Sequence, residues 1–108
     1  MLLLVVIALG SIAEAATARY RCMWLDDTAT TMVIGWDQVS GHSPELHYDI
    51  VDFGRQSSAY RYKQEPNRVV YAKGMNNHYV RLSGLQPNTV YYFVIRDNEG
   101  VSQRMSFK

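Results

Sequence analysis

Short runs of alternating apolar and polar residues, separated by turn residues, constrain the fold of this 108-residue chain more than any other feature. Past the first 18 residues no helical period of useful length occurs. In Thr31–Asp37, the side chains of Met32, Ile34 and Trp36 share one face, as the two-residue period of a β-strand requires. Clusters of Gly, Pro, Asn and Asp close the runs. The pattern predicts an all-β chain of seven strands, one of them a weak edge strand around Tyr60.

The first 18 residues suit a targeting segment better than a strand. Leu2–Leu9 is an unbroken apolar run that is too short to span a bilayer and lacks the alternation of a buried first strand, which is the alternative. Two small-x-small steps follow, Ala13-Glu14-Ala15 and Ala16-Thr17-Ala18, and either suits a signal peptidase. We therefore predict a signal peptide at residues 1–18, one domain at residues 19–108, and a secreted protein, extracellular or periplasmic. No membrane association is expected after cleavage.

The charge limits the classes of partner that the sequence indicates, and the cysteine content limits the sources of stability. The formal net charge is +1 and no basic block occurs, so the sequence does not indicate binding to nucleic acid or to anionic lipid. Cys22 is the only cysteine, so an internal disulfide cannot form. Alternation turns Tyr20, Cys22 and Trp24 to one face, and we expect Cys22 to be a small buried thiol without special reactivity.

The stretch from Leu85 to Ile95 predicts a corner followed by a strand. We expect Leu85 to plug one end of a sandwich and Pro87 to turn the chain. Tyr91 then opens a strand, and a tyrosine at such a corner sends its hydroxyl back to the backbone a few residues upstream. Structural roles are therefore predicted for Leu85, Pro87 and Tyr91, and for Trp36 in the core.

These residues also carry a family resemblance. Leu85-x-Pro87-x-Thr89-x-Tyr91 and the early Trp36 resemble a fibronectin type III domain, an immunoglobulin-like β-sandwich. A closer likeness, to the N-terminal domain of purple acid phosphatases, covers residues 19–108. It rests on Thr31–Asp37, on Tyr48 before Asp52-Phe53-Gly54, on Leu85–Phe93, and on the closing Met105-Ser106-Phe107-Lys108.

The resemblance implies a non-catalytic accessory domain of an exported enzyme. In that family a separate metallophosphoesterase domain follows in the same polypeptide and holds a binuclear metal centre in motifs such as GDxG and GNHE. Neither motif occurs in this sequence. We therefore expect no catalytic, cofactor-binding or metal-binding residue in this chain, no enzymatic activity of the chain alone, and the C-terminal metallophosphoesterase domain as its partner.

One pattern could in principle hold a metal without that domain. Glu45, His47 and Asp49 alternate along one strand, with His42 nearby. Consecutive positions on one strand face stand about 7 Å apart, too far for a compact tetrahedral shell without other elements. We expect a solvated outer face at these three residues, with Leu46 pointing to the core on the other side.

The sequence has more tyrosines than the predicted alternation can place in the core. The remaining tyrosines would be exposed, and a surface that binds a partner would use them. Under the phosphatase resemblance that partner is the catalytic domain, whereas the alternative is a stand-alone extracellular interaction or carbohydrate-binding module, and the fold cannot choose between them. The tyrosines expected to be exposed are Tyr60, Tyr62, Tyr71, Tyr79 and Tyr92.

Overall fold

Two antiparallel four-stranded sheets form the chain in the computed structural model, which describes residues 13–24, 27–72 and 74–108. Within these ranges the only helical element is a 3-10 turn at Ser57–Ala59. The first sheet has the order β1-β2-β6-β5 and the second the order β4-β3-β7-β8. The strands are β1 (Thr17–Met23), β2 (Met32–Gln38), β3 (Glu45–Asp49), β4 (Tyr62–Gln64), β5 (Arg68–Ala72), β6 (Met75–Leu82), β7 (Tyr91–Arg96) and β8 (Met105–Phe107).

The core lies between the two sheets and follows the predicted alternation. Ile34 and Trp36 of β2 face inward and are fully buried, and so are Phe93 and Ile95 of β7 in the other sheet. Burying each large side chain contributes about 1.5–3 kcal/mol, so a few aligned positions supply much of the stability of a small sandwich. The remaining members of the core are Met32, Leu46, Val80, Leu82, Leu85 and Tyr91.

The prediction of seven strands is wrong, because the described residues form eight. The polar stretch after β3 contributes β4, which pairs with β3 at Tyr48 and Tyr62. β5 pairs with β6 at the edge of the other sheet. Both are edge strands, where one side of the ladder stays open and a strong apolar alternation is not required. The weak run also starts later than expected, since Ser57–Ala59 forms the 3-10 turn.

The expectation of a buried Cys22 is wrong as well. Cys22 pairs with the inward-facing Ile34 and so points to the core side of its sheet, as the alternation predicted. It is nevertheless exposed, because β1 is an edge strand with too little of the opposite sheet above it. The partly desolvated surroundings raise the pKa of the thiol, which favours the less reactive protonated form.

The N-terminal segment reaches the sandwich before the predicted domain boundary. Residues 1–12, which hold most of the predicted signal peptide, lie outside the described residues. Residues 13–18 are described, and β1 already includes Thr17 and Ala18, which pair with Gln38 and Asp37. The backbone of Ala16 also accepts a hydrogen bond from the Val39 N–H at 2.8 Å. Residues 16–18 therefore contact the folded domain.

Candidate functional site

The turn between β6 and β7 carries three of the four residues predicted to have structural roles. Leu85 is buried, and its N–H donates to the Thr30 carbonyl at 3.0 Å. The hydroxyl of buried Tyr91 accepts a hydrogen bond from the Gln86 N–H at 2.8 Å. Pro87 is exposed, and its carbonyl accepts a hydrogen bond from the Thr89 hydroxyl at 3.0 Å. These contacts fix the passage of the chain from one sheet to the other.

A hollow of about 370 Å³ opens at this end of the sandwich. Its wall combines apolar side chains such as Met32 and Phe107 with polar ones such as Gln86. Lys108, which follows β8, also lines it. Phe107 stacks on Tyr91 with ring centroids 5.6 Å apart, so the floor of the hollow packs directly against the core. A mixed apolar and polar surface of this kind is typical of contacts between domains of one chain.

Trp36, the fourth predicted residue, begins a buried chain of hydrogen bonds that links the two sheets. Its indole N–H donates to Gln38 Oε1 at 3.0 Å. The Gln38 amide then donates to Asp97 Oδ2 at 2.8 Å, and Asp97 directly follows β7 in the other sheet. The contact joins residues far apart in the chain, so the sequence around Asp97 carries no local signal for its partner on β2.

Glu45, His47 and Asp49 do not form the solvated face that the sequence predicted. They lie on the outer side of the second sheet, opposite the inward-facing Leu46, but His47 and Asp49 are buried. Asp49 is covered because the chain after β3 returns to it, whereas His47 lies within the sheet between Lys63 of β4 and Val94 of β7. Asp49 Oδ2 accepts a hydrogen bond from the Arg61 N–H at 2.9 Å, and Asp49 Oδ1 accepts one from the Ile50 N–H at 2.7 Å.

The environment of His47 favours its neutral form. Burial lowers the pKa of His47 below its ordinary value of 6.5, while the Glu45 carboxylate, 3.3 Å from Nε2, partly opposes this change. The hydrogen bonds of Asp49 and His47 are structural. Across the described ranges no three His, Cys, Asp or Glu side chains are grouped so that they could hold a metal ion.

The tyrosines predicted to be exposed fall into three groups. The prediction for Tyr60 is wrong: its ring is buried and packs edge-on against Phe53, with ring centroids 5.5 Å apart, and its hydroxyl donates to the Gly54 carbonyl at 2.6 Å. Tyr79 and Tyr92 are half-buried, each with an arginine over its ring. Tyr62 and Tyr71 are exposed, with 42% and 72% of their surface open to solvent.

Tyr62, Val69 and Tyr71 define an open flank of the sandwich. Val69 and Tyr71 pair with His78 and Asn76, and His78 stacks on Trp36, so both face the inner side of their sheet. Tyr62 faces inward on β4 and stacks on Tyr48, with ring centroids 5.1 Å apart. The edge strands β4 and β5 leave these inward faces uncovered. The open flank therefore offers apolar and aromatic surface to a partner.

The chain was also compared with known protein families, curated proteins and solved structures. The model of the family described as "Purple acid Phosphatase, N-terminal domain" matches residues 18–108, which span all eight strands apart from the first residue of β1. No curated protein and no solved structure showed a significant similarity to the chain. Over the ranges that the structure describes, no helix is long and apolar enough to cross a bilayer.

Proposed function

The chain belongs to the family of purple acid phosphatase N-terminal domains, and on that premise we propose that it is the accessory domain of an exported metallophosphoesterase. The catalytic domain, with its binuclear metal centre, follows in the same polypeptide. The observation that carries this proposal is the family match over residues 18–108. On this proposal the chain alone is not an enzyme, and its role is to pack against the catalytic domain.

The hollow beside Lys108 is the surface on which we propose that the catalytic domain docks. A polypeptide that continues from β8 leaves the sandwich at this end, so the next domain begins near the hollow. The wall combines apolar side chains such as Met32 with polar ones such as Gln86, as interdomain contacts do. The floor is held by the Tyr91 contacts, so docking requires little reordering of the domain.

The coding sequence beyond Lys108 tests the existence of the catalytic domain. We expect an open reading frame with Asp- and His-rich metal motifs, and a parent protein that hydrolyses a chromogenic phosphomonoester in a metal-dependent manner. The 108-residue chain alone should give no hydrolysis above the blank. A stop codon after Lys108 in an intact gene, or chelator-sensitive turnover by the chain alone, would contradict the proposal.

Docking at the hollow can be tested in the parent protein with two matched variants. Gln86→Arg puts a charge into the hollow, and we expect it to increase proteolytic cleavage between the two domains. Gln103→Arg makes the same change at an exposed position outside the hollow, and cleavage should stay at the wild-type rate. Equal rates for the two variants would place the docking surface elsewhere.

The open flank supports a second candidate function, a stand-alone extracellular interaction or carbohydrate-binding module. Exposed tyrosines such as Tyr62 and Tyr71 can stack on sugar rings or on a partner protein. Retention of the purified chain on a polysaccharide column, lost in Tyr71→Ala, would favour this function. The same retention in wild type and variant, or none in either, would count against it.

A further inference from the structure

Asp97 is a buried carboxylate that lacks a cationic partner among the residues that the structure describes. Only 7% of its surface is exposed. Oδ1 accepts hydrogen bonds from the N–H groups of Glu99 and Gly100, at 2.8 and 3.0 Å. Oδ2 accepts from the Gln38 amide at 2.8 Å and from the Ala16 N–H at 2.9 Å. All four donors are neutral, whereas a buried carboxylate is best stabilised by a positive charge.

Ala16, whose N–H is one of these four donors, directly follows a small-x-small step of the kind that a signal peptidase cleaves. Ala13-Glu14-Ala15 precedes Ala16 and follows the apolar run Leu2–Leu9. Small residues three positions and one position before the cut are the signature of cleavage. Hydrolysis of the bond between Ala15 and Ala16 would convert the Ala16 N–H into the amino terminus of the mature chain.

We propose that the leader is cleaved between Ala15 and Ala16, and that the new α-ammonium group of Ala16 forms a buried ion pair with Asp97. The proposal rests on the proposed export of the chain. In the cleavage a water molecule adds across the peptide bond, Ala15 leaves as a carboxylate, and the Ala16 nitrogen becomes an ammonium group. The 2.9 Å contact with Asp97 is already present, so it gains charge without a change of partner.

Two backbone contacts hold the new terminus in position. The Ala16 carbonyl accepts a hydrogen bond from the Val39 N–H at 2.8 Å, and Thr17 pairs with Gln38. Cleavage after Ala18 would remove these contacts together with the pairing of Ala18 and Asp37. Cleavage after Ala15 keeps all of them, which is why the structure favours the earlier of the two steps.

The charged groups around Asp97 do not replace the amino terminus. Arg55 donates to the carbonyls of Val101 and Ser102, at 2.7 and 3.2 Å, and also contacts Glu14, which leaves with the leader. Glu99 accepts a hydrogen bond from the Ser40 hydroxyl at 3.1 Å. Arg55, Glu99 and Arg96 line the same surface depression as Asp97. At 2.9 Å the Asp97 carboxylate is in direct contact with the Ala16 nitrogen, where its attraction is strongest.

The first test identifies the amino terminus of the exported protein. The full chain, with its own leader, is expressed in an exporting host, and the product is analysed by N-terminal sequencing and intact mass. We expect Ala16 as the first residue, and no cleavage at this bond in the variant Ala15→Arg. A product that begins at Arg19 or elsewhere would overturn the cleavage site, whereas an uncleaved product would overturn the export on which it rests. Neither outcome bears on the downstream catalytic domain.

The second test measures the pairing in the processed protein. NMR titration of the Ala16 amine should give a pKa above the range of about 7.7–8.0 that is ordinary for an α-amino group. Asp97→Asn should return it to that range, whereas Glu99→Gln, a matched change two residues away, should leave it raised. An ordinary pKa in the wild type would overturn the ion pair, and this result does not depend on the folding of either variant.

The ion pair between the Ala16 amine and Asp97 also predicts that the folded protein loses stability at high pH. A raised pKa in the folded state means that the ion pair stabilises fully below about pH 7.7 and is lost as the pH rises through the folded value. The melting temperature of the processed protein should therefore fall in this alkaline range. The fall should be smaller in Asp97→Asn, and a fall of equal size in both proteins would overturn the pairing.

Discussion

At Tyr91 the ring and the hydroxyl contribute to stability in different ways. The ring packs in the core and stacks on Phe107. The hydroxyl accepts the hydrogen bond of the Gln86 N–H in the turn that joins the two sheets. This hydrogen bond is partly buried, and its loss has a measurable effect that the apolar area of the ring does not include.

Tyr91→Phe keeps the ring and removes the acceptor. We expect the free energy of unfolding to fall by about 1 kcal/mol or somewhat more, measured from the midpoint of urea denaturation. Tyr71→Phe is the matched control, because the Tyr71 ring is largely exposed and should tolerate the same change with little effect. Equal stability of the two variants would mean that the Gln86 N–H finds another acceptor.

At the scale of the strands, Gly35 allows side chains of the two neighbouring strands to pack over it on the outer face of the first sheet. Arg21 of β1, Gly35 of β2 and Tyr79 of β6 stand side by side. A Cβ atom at Gly35 would lie 3.0 Å from two atoms of the Tyr79 ring, whose face is covered by the Arg21 guanidinium at 5.7 Å. The missing side chain therefore makes room for a ring that shields the middle of the sheet.

Gly35→Ala should have different effects on stability in two backgrounds. In the wild type the added methyl group pushes the Tyr79 ring aside, and overpacking of this kind costs about 1–3 kcal/mol. In Tyr79→Ala the clash is absent, and the change should be neutral or stabilise by up to about 1 kcal/mol, since alanine is less flexible than glycine. A double-mutant cycle from urea denaturation measures the difference. Equal effects in both backgrounds would exclude the ring as the cause.

The strands could be predicted from the sequence because the direction of a side chain in a strand depends only on local alternation. The inward-facing positions of Ile34, Trp36 and Phe93 follow from it. The order of strands in a sheet depends on long-range pairing, which one sequence does not display. For that reason Cys22 was expected to be buried although β1 is an edge strand, and His47 was expected to be solvated although β4 and β7 flank it in the sheet.

The same limit applies to the candidate site. The turn from Leu85 to Tyr91 could be predicted, since its signal lies within a few consecutive residues. The exposure of Tyr62 and Tyr71 was predicted as well, but their place on one open flank was not, because it arises where β4 and β5 leave the inward faces of these strands uncovered. The contact between Ala16 and Asp97 spans most of the chain and has no local signal at all.

At the scale of the whole molecule, acid should reduce stability in two steps. Burial lowers the pKa of His47 below 6.5, so the unfolded chain takes up its proton first and stability falls as the pH drops below about 6.5. A hydrogen bond from Arg19, with Arg21 also in contact, lowers the pKa of Asp37 below 3.8. The stability that these contacts of Asp37 contribute is present above pH 3.8 and is lost as the pH falls through the folded pKa value.

The first of these steps should depend on one histidine. We expect the midpoint of urea denaturation to decrease between pH 7 and pH 5 in the wild type, and to decrease less in His47→Gln. His42→Gln, at an exposed histidine, serves as the control and should behave as the wild type does. If His47→Gln loses as much stability as the wild type over this range, the acid sensitivity has another source.

The intrinsic fluorescence of the two tryptophans reports on folding at two different places in the molecule. Trp36 is sealed in the core with its indole N–H bonded to Gln38, whereas half of the Trp24 surface, 52%, meets solvent. Emission from the folded chain therefore combines a blue-shifted component that acrylamide cannot reach with a red-shifted one that it quenches readily. Loss of the protected component reports the separation of the two sheets, and the accessible component reports the edge strand β1.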